Sequence, residues 1–253
     1  MELHVILLLV AAGLALGFIN NLAGAAGVIG LIAFESLLGL PTMQANASLR
    51  LSAVAIGTAG MLGFLSKGHR IPGRIWGYSL LTVPGAVAGA MMVRPDFKLE
   101  FRVLVIALLA VVLVQQLRSG KRDTGTPDTP KAAPWWLVVG LFTWLGAHMG
   151  FVQIATGLVA IFCLSTVYSR DLVQVNTAKM AFVLMSASAS SVTLAWEDKI
   201  LWGPALTMAA GAGLGSFAAS RWSVSKGHNA VRVVVTLICL AVLIRMVYQL
   251  VAS

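Results

Sequence analysis

Two stretches of this chain repeat one another, and each opens an apolar segment long enough to cross a bilayer. Residues 43–52 read Met-Gln-Ala-Asn-Ala-Ser-Leu-Arg-Leu-Ser, and residues 173–182 read Val-Gln-Val-Asn-Thr-Ala-Lys-Met-Ala-Phe. Gln44 and Asn46 fall on Gln174 and Asn176, an offset of 176 − 46 = 130. Each copy carries one cation within its segment, Arg50 in the first and Lys179 in the second. A charge without a counter-charge is expensive in that setting, so both cations ask for an anion.

Composition fixes the setting. Only 11% of the residues are charged and 58% are hydrophobic, whereas a soluble domain has about a quarter charged. The chain reads as a polytopic membrane protein whose folding partner is the lipid bilayer. Its net charge of +9 reads as loop charge, because Lys and Arg concentrate in cytoplasmic loops. The basic residues are scattered between apolar runs instead of gathered on one soluble face, which argues against nucleic acid as a partner. Cys163 and Cys239 each lie inside an apolar run and read as small apolar residues, with no disulfide and no metal role. The start, Met-Glu-Leu-His, lacks the cationic region of a signal peptide and reads as the lead-in to a retained first membrane segment.

A span needs roughly 20 apolar residues. Leu3 to Ile19 and Val28 to Leu40 are apolar pieces separated by the polar, small-residue run Asn20 to Gly27. Such a pair predicts a hairpin whose tip lies within the membrane, buried in protein or facing a cavity. Full spans are expected from about Gln44 to Leu65, Ile75 to Val93 and Phe101 to Leu117. Residues 119–134, rich in Pro, Gly, Thr and charge, predict a cytoplasmic linker. The second half repeats the plan. Trp135 to Val167 is divided near Gly146–Gly150, and spans follow from Val173 to Ala195, Ile200 to Ala219 and Val231 to Val251. Trp76-Gly77 recurs as Trp202-Gly203, and the G-x-x-x-G pair Gly85/Gly89 recurs as Gly211/Gly215; such pairs let helix backbones approach closely.

Loop charge orients the halves. Lys67, His69, Arg70 and Arg74 make the 66–74 loop cytoplasmic, while the balanced 94–100 loop suits the outside. In the second half the Glu197-Asp198-Lys199 turn suits the outside, and Arg221, Lys226 and Arg232 suit the inside. Equivalent loops thus have opposite character. The expectation is an all-α membrane fold of two inverted-topology repeats, residues 1–118 and 135–253, each a broken or re-entrant hairpin plus three transmembrane helices, with both termini outside.

Inverted repeats place their working site near the membrane midplane, where broken segments meet. Arg50 lies about six residues into its span, roughly 9 Å deep, and Lys179 is similarly deep from the opposite face. Symmetry is expected to bring them toward one central region. Each could instead snorkel to headgroups, as Arg245 near the end of its span is read to do. Counter-charge favours the functional reading, since Glu35 is the only clear interior acid and cannot neutralise two cations. Arg offers a planar fork to an oxyanion and Lys a point charge. Asn46, Asn176, Gln44 and Gln174 are candidate donors to that anion, with helix capping as the alternative. Asn20, Asn21, His148 and Gln153 belong to the hairpin tips, where helix N-termini also attract anions. His148 and Glu35 are the candidate proton-coupling groups, with a hydrogen-bonded structural role as the alternative for His148. No P-loop, H-E-x-x-H or G-x-S-x-G motif occurs, so neither an enzyme nor a cofactor is expected.

The divided small-residue stretches Gly17–Gly30 and Gly140–Gly157, the Asn-bearing second segments and the late small-residue runs of both halves resemble the TauE/SafE family of sulfite and organosulfonate exporters. The resemblance implies secondary export of a small sulfur-containing anion across the cytoplasmic membrane. It also implies that the segments around Asn46–Arg50 and Asn176–Lys179 line the pathway. An anion channel of the same fold, or a membrane scaffold with structural cations, are the alternatives. Apart from the anion and the bilayer, a second copy in a homodimer is an allowed partner.

Overall fold

The structure is a computed structural model that describes residues 1–24, 26–93, 133–151 and 155–251, with few side chains beyond residue 227. All the regular elements among these residues are helices. They are α1 (Leu3–Ala23), α2 (Gly27–Leu38), α3 (Thr42–Leu65), α4 (Gly73–Leu80), α5 (Thr82–Met91), α6 (Trp135–Phe151), α7 (Thr156–Val167), α8 (Leu172–Trp196) and α9 (Trp202–Val251). Helices α1, α3 and α8 are long and apolar enough to cross a membrane. The expected span 101–117, nearly all of the 119–134 linker and the 94–100 loop lie outside the described residues.

Backbone chemistry sets most of the breaks. Gly24 ends α1 with φ 73°, the left-handed conformation that favours glycine at a helix C-terminus. The expected span 75–93 is two helices meeting at Leu81; Pro84 lacks an amide proton and its ring presses on the carbonyl of residue 80, which interrupts the ladder there. Residues 221–232 hold a break between two helices, at Gly227, in place of the expected loop. Helix α9 continues through Arg221 and Lys226 and bends at Gly227, whose φ of 76° and ψ of −176° lie outside helical space.

Small residues let the helices interlock. A methyl group on Gly17 would sit 1.9 Å from the Ala212 carbonyl oxygen, and one on Gly215 would sit 2.1 Å from that of Leu14. The same mesh joins α5 to α6, with Gly85 against Thr143 and Gly150 against Ala86. The paired Gly85/Gly89 and Gly211/Gly215 motifs therefore do mediate close approach. They meet Gly146/Gly150 and Gly13/Gly17, two further G-x-x-x-G pairs on α6 and α1. Contact order along these seams gives direction. Gly13 and Gly17 of α1 step along Met208 and Ala212 of α9, and Ile56 and Gly60 of α3 step along Ser216 and Ser220. So α1, α3 and α9 run the same way. Helices α5, α6 and α8 run the other way, since Gly57 and Gly60 of α3 meet Leu184 and then Met180 of α8 in reverse order, and Phe142 and Met149 of α6 meet Phe182 and Ser186.

The outer surface suits lipid. Leu3, Leu7, Leu62, Leu206 and Leu214 are exposed along the helices. Exposed Trp135, Trp136, Trp196 and Trp202 stand at helix ends, as tryptophans do at membrane interfaces.

Candidate functional site

The site grows from two interrupted helices. A helix that stops in an apolar interior leaves its last carbonyls without amide partners, and its C-terminus carries about half a negative charge. Helix α1 stops this way at Ala23, and α6, described to Phe151, has ended before Ala155, whose φ of 57° is not helical. Each stop is met by a side chain from the repeated stretch of the other half.

At the end of α6, Arg50 of α3 donates from Nη1 to the Met149 carbonyl and from Nη2 to the Gly150 carbonyl at 2.8 Å. One turn earlier on α3, the Asn46 amide donates to the Phe151 carbonyl at 3.4 Å. At the end of α1, Lys179 Nζ of α8 donates to the carbonyls of Asn21 at 2.6 Å and Asn20 at 3.3 Å. Asn176 donates to the Leu22 carbonyl at 3.2 Å. Both cations are sealed from the surface, Arg50 at 0% and Lys179 at 1% exposure. Neither snorkels.

The two Asn residues do not cap their own helices. Asp171 caps α8, its carboxylate accepting from the amides of Val173 and Gln174, and Pro41 precedes α3 without a side-chain cap. The Asn pair closes the helix of the opposite half instead. Gln44 is half-buried and Gln174 exposed, and neither takes part in the bonds to the tips.

Asn20 and Asn21 lie in the last turn of α1 and not in the tip itself, because the helix runs on to Ala23. The Asn21 amide donates to the Ser216 carbonyl, the Ser216 hydroxyl and the Ser220 hydroxyl, all within 3.0 Å, which ties the tip to α9. Those serines gave no signal in the repeat pattern. Likewise the 146–150 stretch is helix, with its glycines serving contact with α5 and the break falling after Phe151. His148 is on α6, 5% exposed, stacked on Trp144 at 6.1 Å. Its Nε2 finds no partner among the described residues. Gln153 lies outside the described residues. Glu35 accepts from the Thr42 hydroxyl at 2.6 Å at the start of α3, away from both cations.

The cations do not converge on one point. Gly57 packs on Leu184 and Gly60 on Met180, so Lys179 lies level with residue 61 of α3, eleven residues past Arg50, or roughly 17 Å at 1.5 Å per residue. They stand on either side of the middle. The described carboxylates are elsewhere. Glu2 is beside His4, Glu35 holds Thr42, Glu197 pairs with Lys199, Asp171 caps α8, and Asp198 sits in the turn after α8.

Between the cations the two hairpin tips touch. The Gly157 amide donates to the Gly24 carbonyl at 3.1 Å, and a methyl group on Gly24 would lie 2.2 Å from the Gly157 Cα. Beside this contact lies a cavity of about 10 Å³ where Asn20, Gly27 and Ser52 meet Leu16, Leu49 and Ile56.

Comparison with known proteins follows the same outline. The family described as "Sulfite exporter TauE/SafE" matches residues 8–246. The chain is 23% identical to the "Probable membrane transporter protein ORF9" of Sinorhizobium sp over 246 residues, covering 96% of this chain and 92% of the relative. It is 24% identical to a "Probable membrane transporter protein" of Haemophilus influenzae over 243 residues, covering 96% of this chain and 94% of the relative. No solved structure matches it.

Proposed function

The chain belongs to the sulfite exporter TauE/SafE family, a family of membrane transporters, and from that premise we propose that it exports a small sulfur-containing oxyanion, such as sulfite or a sulfonate, across the cytoplasmic membrane. The observation that carries this reading is the placing of two buried cations, Arg50 and Lys179, at the two hairpin tips, with the described carboxylates elsewhere. Each cation faces a helix C-terminus, which carries about half a unit of negative charge. The N-termini of α2 and α7, at the tips between them, carry about half a unit of positive charge each. A small oxyanion is the partner of opposite sign that this setting favours.

Movement follows from the same parts. The halves, 1–118 and 135–253 with 119–134 as linker, act as inverted repeats. The opposed directions of α1 and α6, α3 and α8, and α5 and α9 support this. Each half holds the tip of the other, so rocking one against the other exposes the region between the cations to each side in turn. A scaffold with structural cations has one observation in its favour, since both cations bond to backbone carbonyls. It gives no reason for two helix N-termini to meet between the two cations.

Sulfite efflux from proteoliposomes tests the reading directly. The reconstituted protein is expected to drive saturable efflux, with Lys179→Gln and Arg50→Lys each weakening anion binding at least about tenfold, the scale of one charge-assisted contact. Flux that is never concentrative under any proton gradient would instead indicate a channel, and absence of flux would end the proposal.

A further inference from the structure

The cavity beside the first hairpin tip has the chemistry of a donor cradle. The N-terminus of α2 opens onto it at Gly27, and no side chain caps that helix. A helix start points its amides and its positive end outward. The Ser52 hydroxyl, 1% exposed, lines the same space and has no hydrogen-bond partner among the described residues. A buried hydroxyl left unmatched is costly. Asn20 lines the cavity too, and its backbone carbonyl accepts from Lys179 Nζ at 3.3 Å, which keeps that ammonium near. No carboxylate lines it among the described residues. Amide protons, a hydroxyl and a nearby ammonium suit an anion and disfavour a metal cation.

The matching tip of the second half differs. There the Gly157 amide, in the first turn of α7, is already bonded to the Gly24 carbonyl. The positive end of α7 is thus partly consumed by the contact between tips, and that of α2 is the one that faces the cavity.

We propose that Ser52, Asn20 and the first turn of α2 form an oxyanion subsite of the transport path, a binding station for the oxygens of sulfite or a sulfonate head. This rests on the anion-export reading above. At about 10 Å³ the cavity is the size of a single water, so an oxyanion enters only where the apolar walls, Leu16, Leu49 and Ile56 among them, give way. Position supports the assignment as well. Ser52 lies two residues beyond Arg50 on α3 and well short of the level of Lys179, so the station falls between the two cations.

Calorimetric titration of the purified full chain with sulfite, and separately with sulfoacetate, tests this. The wild type is expected to bind one of them, and Ser52→Ala to weaken that binding at least about fivefold, the scale of one neutral hydrogen bond. Ser223→Ala, which removes another buried hydroxyl unmatched among the described residues, on α9 beyond Ser220 and outside the cavity lining, is expected to leave affinity unchanged. Hydrogen exchange on the wild type gives a second reading that needs no variant, with sulfite slowing exchange at Gly27 and Val28. Binding by the wild type with Ser52→Ala within twofold of it, or with no added protection in the first turn of α2, overturns the subsite and leaves the export reading standing. Failure of the wild type to bind either anion overturns both.

Discussion

At the end of α6, Arg50 spans two successive carbonyls with two guanidinium nitrogens, and its helper Asn46 is half-buried at 3.4 Å from a third. At the end of α1, Lys179 reaches two carbonyls from one ammonium, its helper Asn176 is fully buried at 3.2 Å, and Asn21 fastens the same helix end to α9 through two serines. One need, closing a helix that stops in the buried interior, is met in two ways. On the arginine side a planar fork matches adjacent acceptors. On the lysine side the work is shared among neutral amides, and the cation is a point charge within a wider network.

That difference ranks the two cations. Arg50→Ala and Lys179→Ala should each destabilise the protein by about 3–6 kcal/mol, two charge-assisted bonds at about 1.5–3 kcal/mol apiece. Arg50→Ala should be the worse of the pair, because it removes a planar fork matched to two adjacent carbonyls. Denaturant unfolding in detergent ranks them, and the reverse order would break the comparison.

The tips contrast as well. Gly24→Ala places a methyl group 2.2 Å from the Gly157 backbone in a residue with φ 73°, and should destabilise by at least about 3 kcal/mol, strain and overpacking together. Gly39→Ala, with φ 63° and nothing within 4 Å, should lose only the strain, about 1–2 kcal/mol. Equal losses would mean that contact between the tips contributes nothing.

A smaller effect sharpens the ranking of the helpers. Hydrogen bonds within membranes are worth about 0.6 kcal/mol on average and up to about 1.7. Asn176→Ala should fall near the top of that range and Asn46→Ala near or below the average, because the first bond is shorter and fully buried. Melting temperatures of the two variants, purified side by side, give the order.

The parts legible from sequence are those set by length, proline and charge. The spans around Arg50 and Lys179 start and stop within two residues of expectation, because apolar length and the flanking Pro41 and Asp171 define them. The depth of the two cations was legible for the same reason. Their partners were not. Backbone carbonyls carry no letter, so nothing in the sequence marked Met149, Gly150, Asn20 or Asn21 as acceptors. The break in the second hairpin was misplaced because Gly146 and Gly150 read as helix breakers, whereas they are the close-packing face of α6 against α5. The matching spacing of Gly13/Gly17 and Gly146/Gly150 was the signal that separates these uses of glycine. The run past Ala219 was misplaced because its basic residues read as a loop, although nothing before Gly227 prevents a helix from continuing.

The smallest effect concerns the one left-handed residue that is not glycine among the described residues of the tips. Gly24 has φ 73° in the first tip, and Ala155 has φ 57° in the second. A methyl group in that conformation costs about 1–2 kcal/mol, so Ala155→Gly should relieve strain. Two losses oppose the gain. Ala155 is 1% exposed, and removing its buried methyl forfeits about 0.8 kcal/mol, while the freer unfolded chain costs about 0.4–1 kcal/mol more. The sum should fall within about 0.5 kcal/mol of zero. Ala160→Gly, at a buried position inside α7, has the same two losses without the relief, and should also suffer the helix penalty of glycine, about 1 kcal/mol. Measured together, a near-neutral Ala155→Gly beside a clearly destabilised Ala160→Gly would show that the second tip is held in its strained shape by what surrounds it. Losses of equal size would mean that Ala155 is unstrained, and that the two tips differ less than their backbones suggest.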